Sequence, residues 1–585
     1  MSSYKLARRS FTLKLLATLH ERLIVKSVDR DGIPRTAEFL DNDSLRPTRV
    51  QDRTWTQITY LAFWFSASGN VSNLYAASTG LTVGLSMWES IICQLGGQIL
   101  AGILMALNGR AGALYRIPFP VLCRSSWGSL GALWPTFNRA VMAIVWNGVN
   151  AVQGAQCLNV LLHSIFPSMA NIPNTMGAKS ALTSAGMICF FVFWYLHPSM
   201  LAVLFLNCAF LFIPIPKMRI LVYIKVVAYY SATVAMLAWT LSLSGSSKHT
   251  LRSHSTIHGT EKSWMVAKFF WLGLASVATF VSNAADLQRY ARRRNDVILG
   301  QVFSFHVANF IIAIMGCVIA ATSEPIFGEL IWNPISILER LMEGDRYTAG
   351  NRSGCFFYLS WVCLLNYLHQ YIRELHTVSL FYVPFAATHY DLIHTQILSY
   401  AICPWYLLPS AAVFIKFLSS YQIFLSVIAG ILLCDYYLIR RGRLCIPELY
   451  TMNPEGRYHY LRGINFRAFA VYLVSIATSF YGFLSQLGVK APLSIQRFYY
   501  GSYPTGLLIA FLGYHLSCLC FPIVGMVRTR GWYEPREYID VHDSARDDTT
   551  MDFDGVDVSR RESDAFDSVA AEGIKRDEDM KRAIA

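Results

Sequence analysis

The chain has 585 residues, of which 54% are hydrophobic and 14% aromatic, while only 15% carry charge. A water-soluble protein of this size carries about a quarter of its residues as Asp, Glu, Lys or Arg, so the composition excludes an ordinary soluble fold and places the middle of the chain in lipid. The formal net charge is +13, and from Asp540 to Ala585 there are 14 acidic against seven basic residues, which makes the tail about −7 and the remainder about +20. A basic excess spread over the loops between apolar runs points to membrane orientation rather than to nucleic acid.

Residues 1–54 read as a cytoplasmic N-terminal segment. Arg8, Arg9, Lys14, Arg22, Lys26, Asp29 and Arg30 interrupt its short apolar pieces, and no cleavable signal peptide is evident. Residues 55–526 read as a transmembrane domain, an all-α membrane fold. Membrane-length apolar runs predict spans near 57–79, 84–107, 129–165, 181–213, 219–243, 264–286, 298–322, 354–372, 397–414, 417–438, 468–487 and 505–526. That is about twelve transmembrane helices, with both ends on one side. The charged loops alternate accordingly: Arg110, Arg116, Arg124, Lys217, Arg219, Arg289 to Arg294, Arg440, Arg441 and Arg443 fall inside. Residues 527–585 read as an acidic, disordered cytoplasmic tail. The thirteen cysteines show no paired spacing of the zinc type and read as packing residues.

Two spans carry polar interruptions at comparable places. In the first, Ser66-Ala67-Ser68-Gly69-Asn70-Val71-Ser72-Asn73 replaces the expected Leu and Val; in the sixth, Ser282-Asn283-Ala284-Ala285-Asp286 does so. Such residues are costly at lipid depth unless they line a cavity, so they mark a pathway. Spans one and six lie five apart, as an inverted repeat of five helices requires, and matched breaks place a substrate site near the midplane. Asn283 is therefore a substrate-site candidate, and Asn70, Asn73 and Asp286 are candidate gating or structural polar groups.

In the third span Trp146 and Asn150 are four apart and share a helical face. An indole stacks on a flat heterocycle, and an amide offers a donor and an acceptor to the ring edge. This pair points to a uracil-like or purine-like ligand. The competing reading is a core tryptophan with an asparagine that joins helices.

Several stretches resemble the fungal Fur-type branch of the nucleobase-cation symport family, which holds uracil, uridine and allantoin permeases. They are Asn42-Asp43-Ser44-Leu45-Arg46-Pro47 with Arg53-Thr54-Trp55, Ala77-Ser78-Thr79-Gly80-Leu81, Tyr115-Arg116-Ile117-Pro118-Phe119-Pro120, Leu133-Trp134-Pro135 with Asn138-Arg139-Ala140, the Trp146 segment, Asp286 to Tyr290, Cys403-Pro404-Trp405, and Cys434-Asp435-Tyr436-Tyr437 with Arg440-Arg441-Gly442. The resemblance implies a LeuT-like five-plus-five inverted repeat with broken spans one and six. It implies inward carriage of a small heterocycle with a cation, a proton in fungal relatives and sodium as the alternative. It maps the family's stacking tryptophan and amide onto Trp146 and Asn150, with Asn150 standing where many relatives have Gln. It also maps an aromatic ahead of the sixth-span break onto Phe280, and the cation-site carbonyls onto Ser66 and Gly69.

The eighth span departs from the family pattern. Residues 366–396 bring His369, Arg373, Glu374, His376, His389, Asp391 and His394 to expected lipid depth, which reads as a shifted reading frame or a retained intron. A smaller irregularity surrounds His197-Pro198. No phosphate loop, nucleophile elbow, metal site or catalytic residue is apparent, and the expected cofactor is none beyond the co-transported cation. The expected partners are the heterocycle and the bilayer, with trafficking or ubiquitin machinery at the termini, where Ser559-Arg560-Arg561-Glu562-Ser563-Asp564 is suited to phosphorylation. Nucleic acid is not an expected partner. The expected location is the plasma membrane. The alternatives are a cation-coupled amino-acid carrier of the same architecture and a non-transporting paralogue.

Overall fold

Apolar runs of membrane length can satisfy their backbone groups in lipid only as helices or closed barrels. The computed structural model describes residues 26–28, 34–36, 40–41, 45–195, 219–245, 254–362, 398–527 and 532. Among these, the only sheet is a hairpin of Lys26–Val28 with Pro34–Thr36. The rest is helix and loop.

The first span is two helices, α1 (Gln57–Ser68) and α2 (Val71–Ala76). Then come α3 (Met87–Asn108) and α4 (Leu133–Ile165). The sequence caps α3 by a reciprocal pair: the Ser86 hydroxyl accepts from the Glu89 amide, and the Glu89 carboxylate accepts from the Ser86 amide at 2.9 Å. α4 has 33 residues, a length of about 50 Å. Its buried residues include Asn147, Asn150 and Gln153 in the middle of the helix, whereas Leu133, Trp134, Phe137 and Val141 near its start are exposed. α5 is Arg219–Ser244.

The sixth span is three pieces, α6 (Gly259–Ala275), α7 (Ala278–Ser282) and α8 (Ala284–Gln288). α9 (Ser304–Phe327) follows a π-turn over Leu299–Phe303. Next are α10 (Ala411–Ser420), α11 (Gln422–Cys434), α12 (Phe466–Gln486), the short α13 (Leu493–Tyr500) and α14 (Ser502–Cys520). Six helical stretches among the described residues are long and apolar enough to cross a membrane.

α3 and α6 touch backbone to backbone. A Cβ at Gly97 would lie 2.2 Å from the Phe270 carbonyl oxygen, so only glycine permits the approach. The opposite kind of face appears on α14, where Leu508, Leu512, Leu516 and Leu519 recur every three or four residues and are all exposed, as a lipid-facing stripe requires.

Two expectations need correction. Spans nine and ten were placed at 397–414 and 417–438. Instead the chain turns at Cys403, which has φ 51°, passes a 3₁₀ turn over Pro404–Tyr406, and starts a new helix at Ala411, capped by Ser410. Ala411–Ile439 then forms one crossing of 29 residues, jointed at Tyr421. Pro404 and Pro409 interrupt what hydropathy alone reads as continuous. The sixth span also breaks twice, at Ser276–Val277 as well as at Asn283, and only the second was legible. The 366–396 segment, His197-Pro198, and most of the N-terminal segment and acidic tail lie outside the described residues.

Candidate functional site

The break in the first span follows from its small and amide residues. Gly69 ends α1 with ψ 79°, and Asn70 caps α2 by accepting from the Asn73 amide at 2.9 Å. The carbonyls freed by the break are then claimed by side chains. Asn70 donates to the Ala67 carbonyl at 2.8 Å, and Asn73 to the Ser68 carbonyl at 3.2 Å. Asn70 and Asn73 thus hold the break open as a fixed structure.

The Ser66 carbonyl, expected to face a co-transported cation, is engaged by a side chain. Lys225 of α5 donates its ammonium to that oxygen at 2.6 Å, and its side chain is buried. Next to it, Gly69 faces the Tyr229 ring, where an added Cβ would come to 2.9 Å. Sequence reasoning missed Lys225. The available signal was a lone internal lysine in an otherwise apolar span, which at lipid depth marks a functional group.

At the sixth span, Asn108 of α3 donates to the Val281 and Ser282 carbonyls at 2.7 and 3.0 Å, which satisfies the end of α7. The Asn283 side-chain oxygen is buried without a hydrogen-bond partner. Asp286 is bonded to elements other than its own span. Its carboxylate accepts from the Phe119 amide at 2.8 Å and pairs with Arg139 of α4 at 2.5 Å, both side chains being buried.

A small cavity lies between the breaks. It is lined by Ala67, Ser68, Asn70, Ser72 and Asn73 from the first span, Ser276, Val277 and Phe280 from the sixth, Trp146 from α4 and Phe305 from α9. Trp146 and Phe280 thus both line this cavity. Asn150 and Asn283 are each within one turn of these aromatics on the same strand of chain but outside the lining. Phe417 of α10 packs on Trp146 with ring centroids 5.4 Å apart, and Trp64 backs Phe280 at the same distance. Aromatic walls with convergent amides and hydroxyls suit a flat polar ring.

Towards the basic face this cavity is sealed. Tyr60 donates to the Leu287 carbonyl at 2.9 Å, the Trp55 amide donates to the Tyr290 carbonyl at 3.1 Å, and the Arg292 amide donates to the Trp55 carbonyl at 2.8 Å. Arg116 donates to the Ala291 carbonyl at 2.5 Å. The chain before α1 is part of this seal: the Thr48 amide donates to the Arg116 carbonyl at 3.0 Å, and Tyr450 donates to the Leu45 carbonyl at 2.8 Å.

Comparison with known proteins agrees with this architecture. Residues 47–506 match the family model described as permease for cytosine/purines, uracil, thiamine and allantoin. The uridine permease of Saccharomyces cerevisiae is 32% identical over 86% of this chain and 79% of its own length. The uracil permease of the same yeast is 30% identical over 90% of this chain and 84% of its own. The inward-facing conformation of Mhp1 superposes with a TM-score of 0.65 over 86% of this chain and 98% of that one, at 20% identity, which shows a shared LeuT-like fold. With a family model covering most of its length, permeases rather than enzymes as relatives, and broken first and sixth spans around one cavity, the chain belongs to the nucleobase-cation symport family of multi-pass membrane transporters.

Proposed function

We propose that this protein imports a flat heterocycle of the uracil, uridine and allantoin class across the plasma membrane, coupled to protons, with both termini in the cytoplasm. The observation that carries the coupling is Lys225 on the Ser66 carbonyl. A fixed ammonium in the break of the first span takes the position that a free metal cation would need, and a lysine is a group that can give up its proton when its surroundings change. Protonated, Lys225 ties α5 to α1 by a charge-assisted bond; deprotonated, it holds that oxygen about half as strongly. The proton enters with the ring from outside and leaves inside when the basic face opens. Trp146 and Phe280 are the walls for the ring, and Asn150, Asn283 and the hydroxyls nearby bias which ring is accepted. Closure of the basic face by Tyr60, Arg116 and the chain before α1 corresponds to the state that waits for external substrate.

Uptake of radiolabelled uracil, uridine and allantoin, with each unlabelled ring and an amino-acid mixture as competitors, tests the substrate class. Competition by amino acids but not by the rings contradicts it. Uptake that collapses with a protonophore and persists without sodium supports proton coupling, whereas sodium dependence with indifference to the protonophore contradicts it.

One observation favours a second reading, a non-transporting paralogue. The residues at 366–396 include Arg373, Glu374 and Asp391, and central Arg or Asp costs about 2.5–3.5 kcal/mol each on insertion scales. The chain as given, assayed beside one carrying a family-like segment there, is expected to reach the surface but carry little substrate. Equal transport by the two makes the segment a working variant.

A further inference from the structure

Ser72 of α2 lines the cavity between the breaks and is tied from behind to α4. Gln153, wholly buried on α4, donates its side-chain amide to the Ser72 hydroxyl oxygen at 2.6 Å and to the Tyr75 hydroxyl oxygen. A carboxamide nitrogen has two protons, and both are spent here. Ser72 makes no further hydrogen bond among the described residues. A helical serine can return its proton to the carbonyl one turn back, but that carbonyl, of Ser68, already accepts from Asn73 at 3.2 Å. The Ser72 proton is therefore left for the cavity. The Ser68 hydroxyl, 1% exposed and also in the lining, has no partner. Ser276, from the sixth span, is the reverse case: its hydroxyl donates to the Gly273 carbonyl at 2.9 Å, so it presents lone pairs to the cavity.

Asn70 and Asn73 bond the backbone of the break itself, so turning either towards a ligand undoes the break. The hydroxyls carry no such duty. We propose that Gln153 is a positioning residue for substrate choice: by filling a lone pair of Ser72 it aims that hydroxyl proton into the cavity, where Ser72 and Ser68 donate to a ring carbonyl and Ser276 accepts from a ring N–H. This rests on the reading of the cavity as the substrate site. A flat ring between Trp146 and Phe280 then presents a carbonyl to the first span and an N–H to the sixth, the edge of a cyclic amide or ureide. Adenine, which has no carbonyl, lacks that edge.

The test is equilibrium binding of radiolabelled uracil to the purified full chain, with unlabelled uracil, 2-thiouracil, 4-thiouracil and adenine as competitors. Sulfur accepts hydrogen bonds more weakly than oxygen. At least one thio ring is expected to bind roughly three- to tenfold more weakly than uracil, the effect of one hydrogen bond, and adenine is expected not to compete. Gln153→Met is expected to erase the thio ratio, because the Ser72 proton is no longer aimed. A residue that only packs α4 against α2 weakens all rings alike and leaves the ratio. Ser72 keeps its bulk in this variant, so the ratio does not report room for sulfur. Ser72→Ala is expected to erase the ratio too, and decides if Gln153→Met does not fold. An unchanged ratio in either variant, equal binding of uracil and both thio rings to the natural protein, competition by adenine equal to that by uracil, or no binding of uracil overturns the proposal. Absence of binding by uracil, uridine and allantoin alike overturns the substrate-site reading as well, whereas binding with an unchanged ratio leaves that reading standing.

Discussion

The two breaks solve one problem in different ways. In the first span three carbonyls at the break are answered by side chains: Ala67 and Ser68 by Asn70 and Asn73, and Ser66 by Lys225. In the sixth, the Asn283 oxygen is left buried without a partner, and Asp286 reaches across to Arg139 and Phe119 on other elements. The first break is thus closed by the protein's own side chains, with the Lys225 ammonium on the Ser66 carbonyl. The second ties separate elements together, through the ion pair of Asp286 with Arg139 of α4 and its bond to the Phe119 amide.

Trp146→Ala is the largest break in this comparison, because the cavity between the two spans loses its flat wall. Uptake is expected to vanish while the surface level stays unchanged; retained uptake removes Trp146 from the site. Lys225→Ala comes next, with uptake down roughly 100-fold, near the top of the usual range for coupling between sites. Lys225→Arg keeps the charge but cannot be deprotonated, so the first-break account expects it to be folded and equally inactive.

Asp286→Asn probes the second break. It leaves Arg139 buried beside a neutral amide, at a cost of about 3–5 kcal/mol, read as a lower melting temperature of the purified protein. Arg139→Leu with Asp286→Leu is expected to recover most of that stability without recovering transport. A single variant as stable as the natural protein shows that the pair does not tie α4 to the sixth span. Gly69→Ala forces a methyl against Tyr229 and is expected to cost about 1–3 kcal/mol as an overpacked contact. Asn150→Gln is the smallest change, altering the ranking among uracil, uridine and allantoin with expression intact.

What the sequence disclosed and what it hid follow the same division. Polar residues in an apolar run stand out by composition, so the break at Gly69-Asn70, Asn283 and the facing Trp146 were visible one residue at a time. Lys225 was legible only as a charge in an apolar span and was passed over; its role was not legible, because its partner is a backbone oxygen of Ser66 with no sequence signature, 159 residues earlier. The Asp286–Arg139 pair was hidden for a similar reason: each residue is legible, but their meeting depends on how α4 crosses the sixth span. The break at Ser276–Val277 has no Gly or Pro to announce it. The misplaced ninth and tenth spans came from reading hydropathy through Pro404 and Pro409, where backbone chemistry ends one helix and Ser410 starts the next.

The central claim is that Lys225, at the Ser66 carbonyl, couples ring uptake to protons. It is tested most directly in proteoliposomes, by measuring radiolabelled uracil, uridine and allantoin uptake under an imposed pH gradient or an imposed sodium gradient. Natural protein and Lys225→Gln are compared, each with the given and with the family-like 366–396 segment. The account predicts that a pH gradient alone drives accumulation of at least one ring, and that Lys225→Gln abolishes this while still allowing slow exchange of ring across the membrane. Accumulation driven by sodium, pH-driven accumulation undiminished in Lys225→Gln, or no uptake by either form of the natural protein contradicts it.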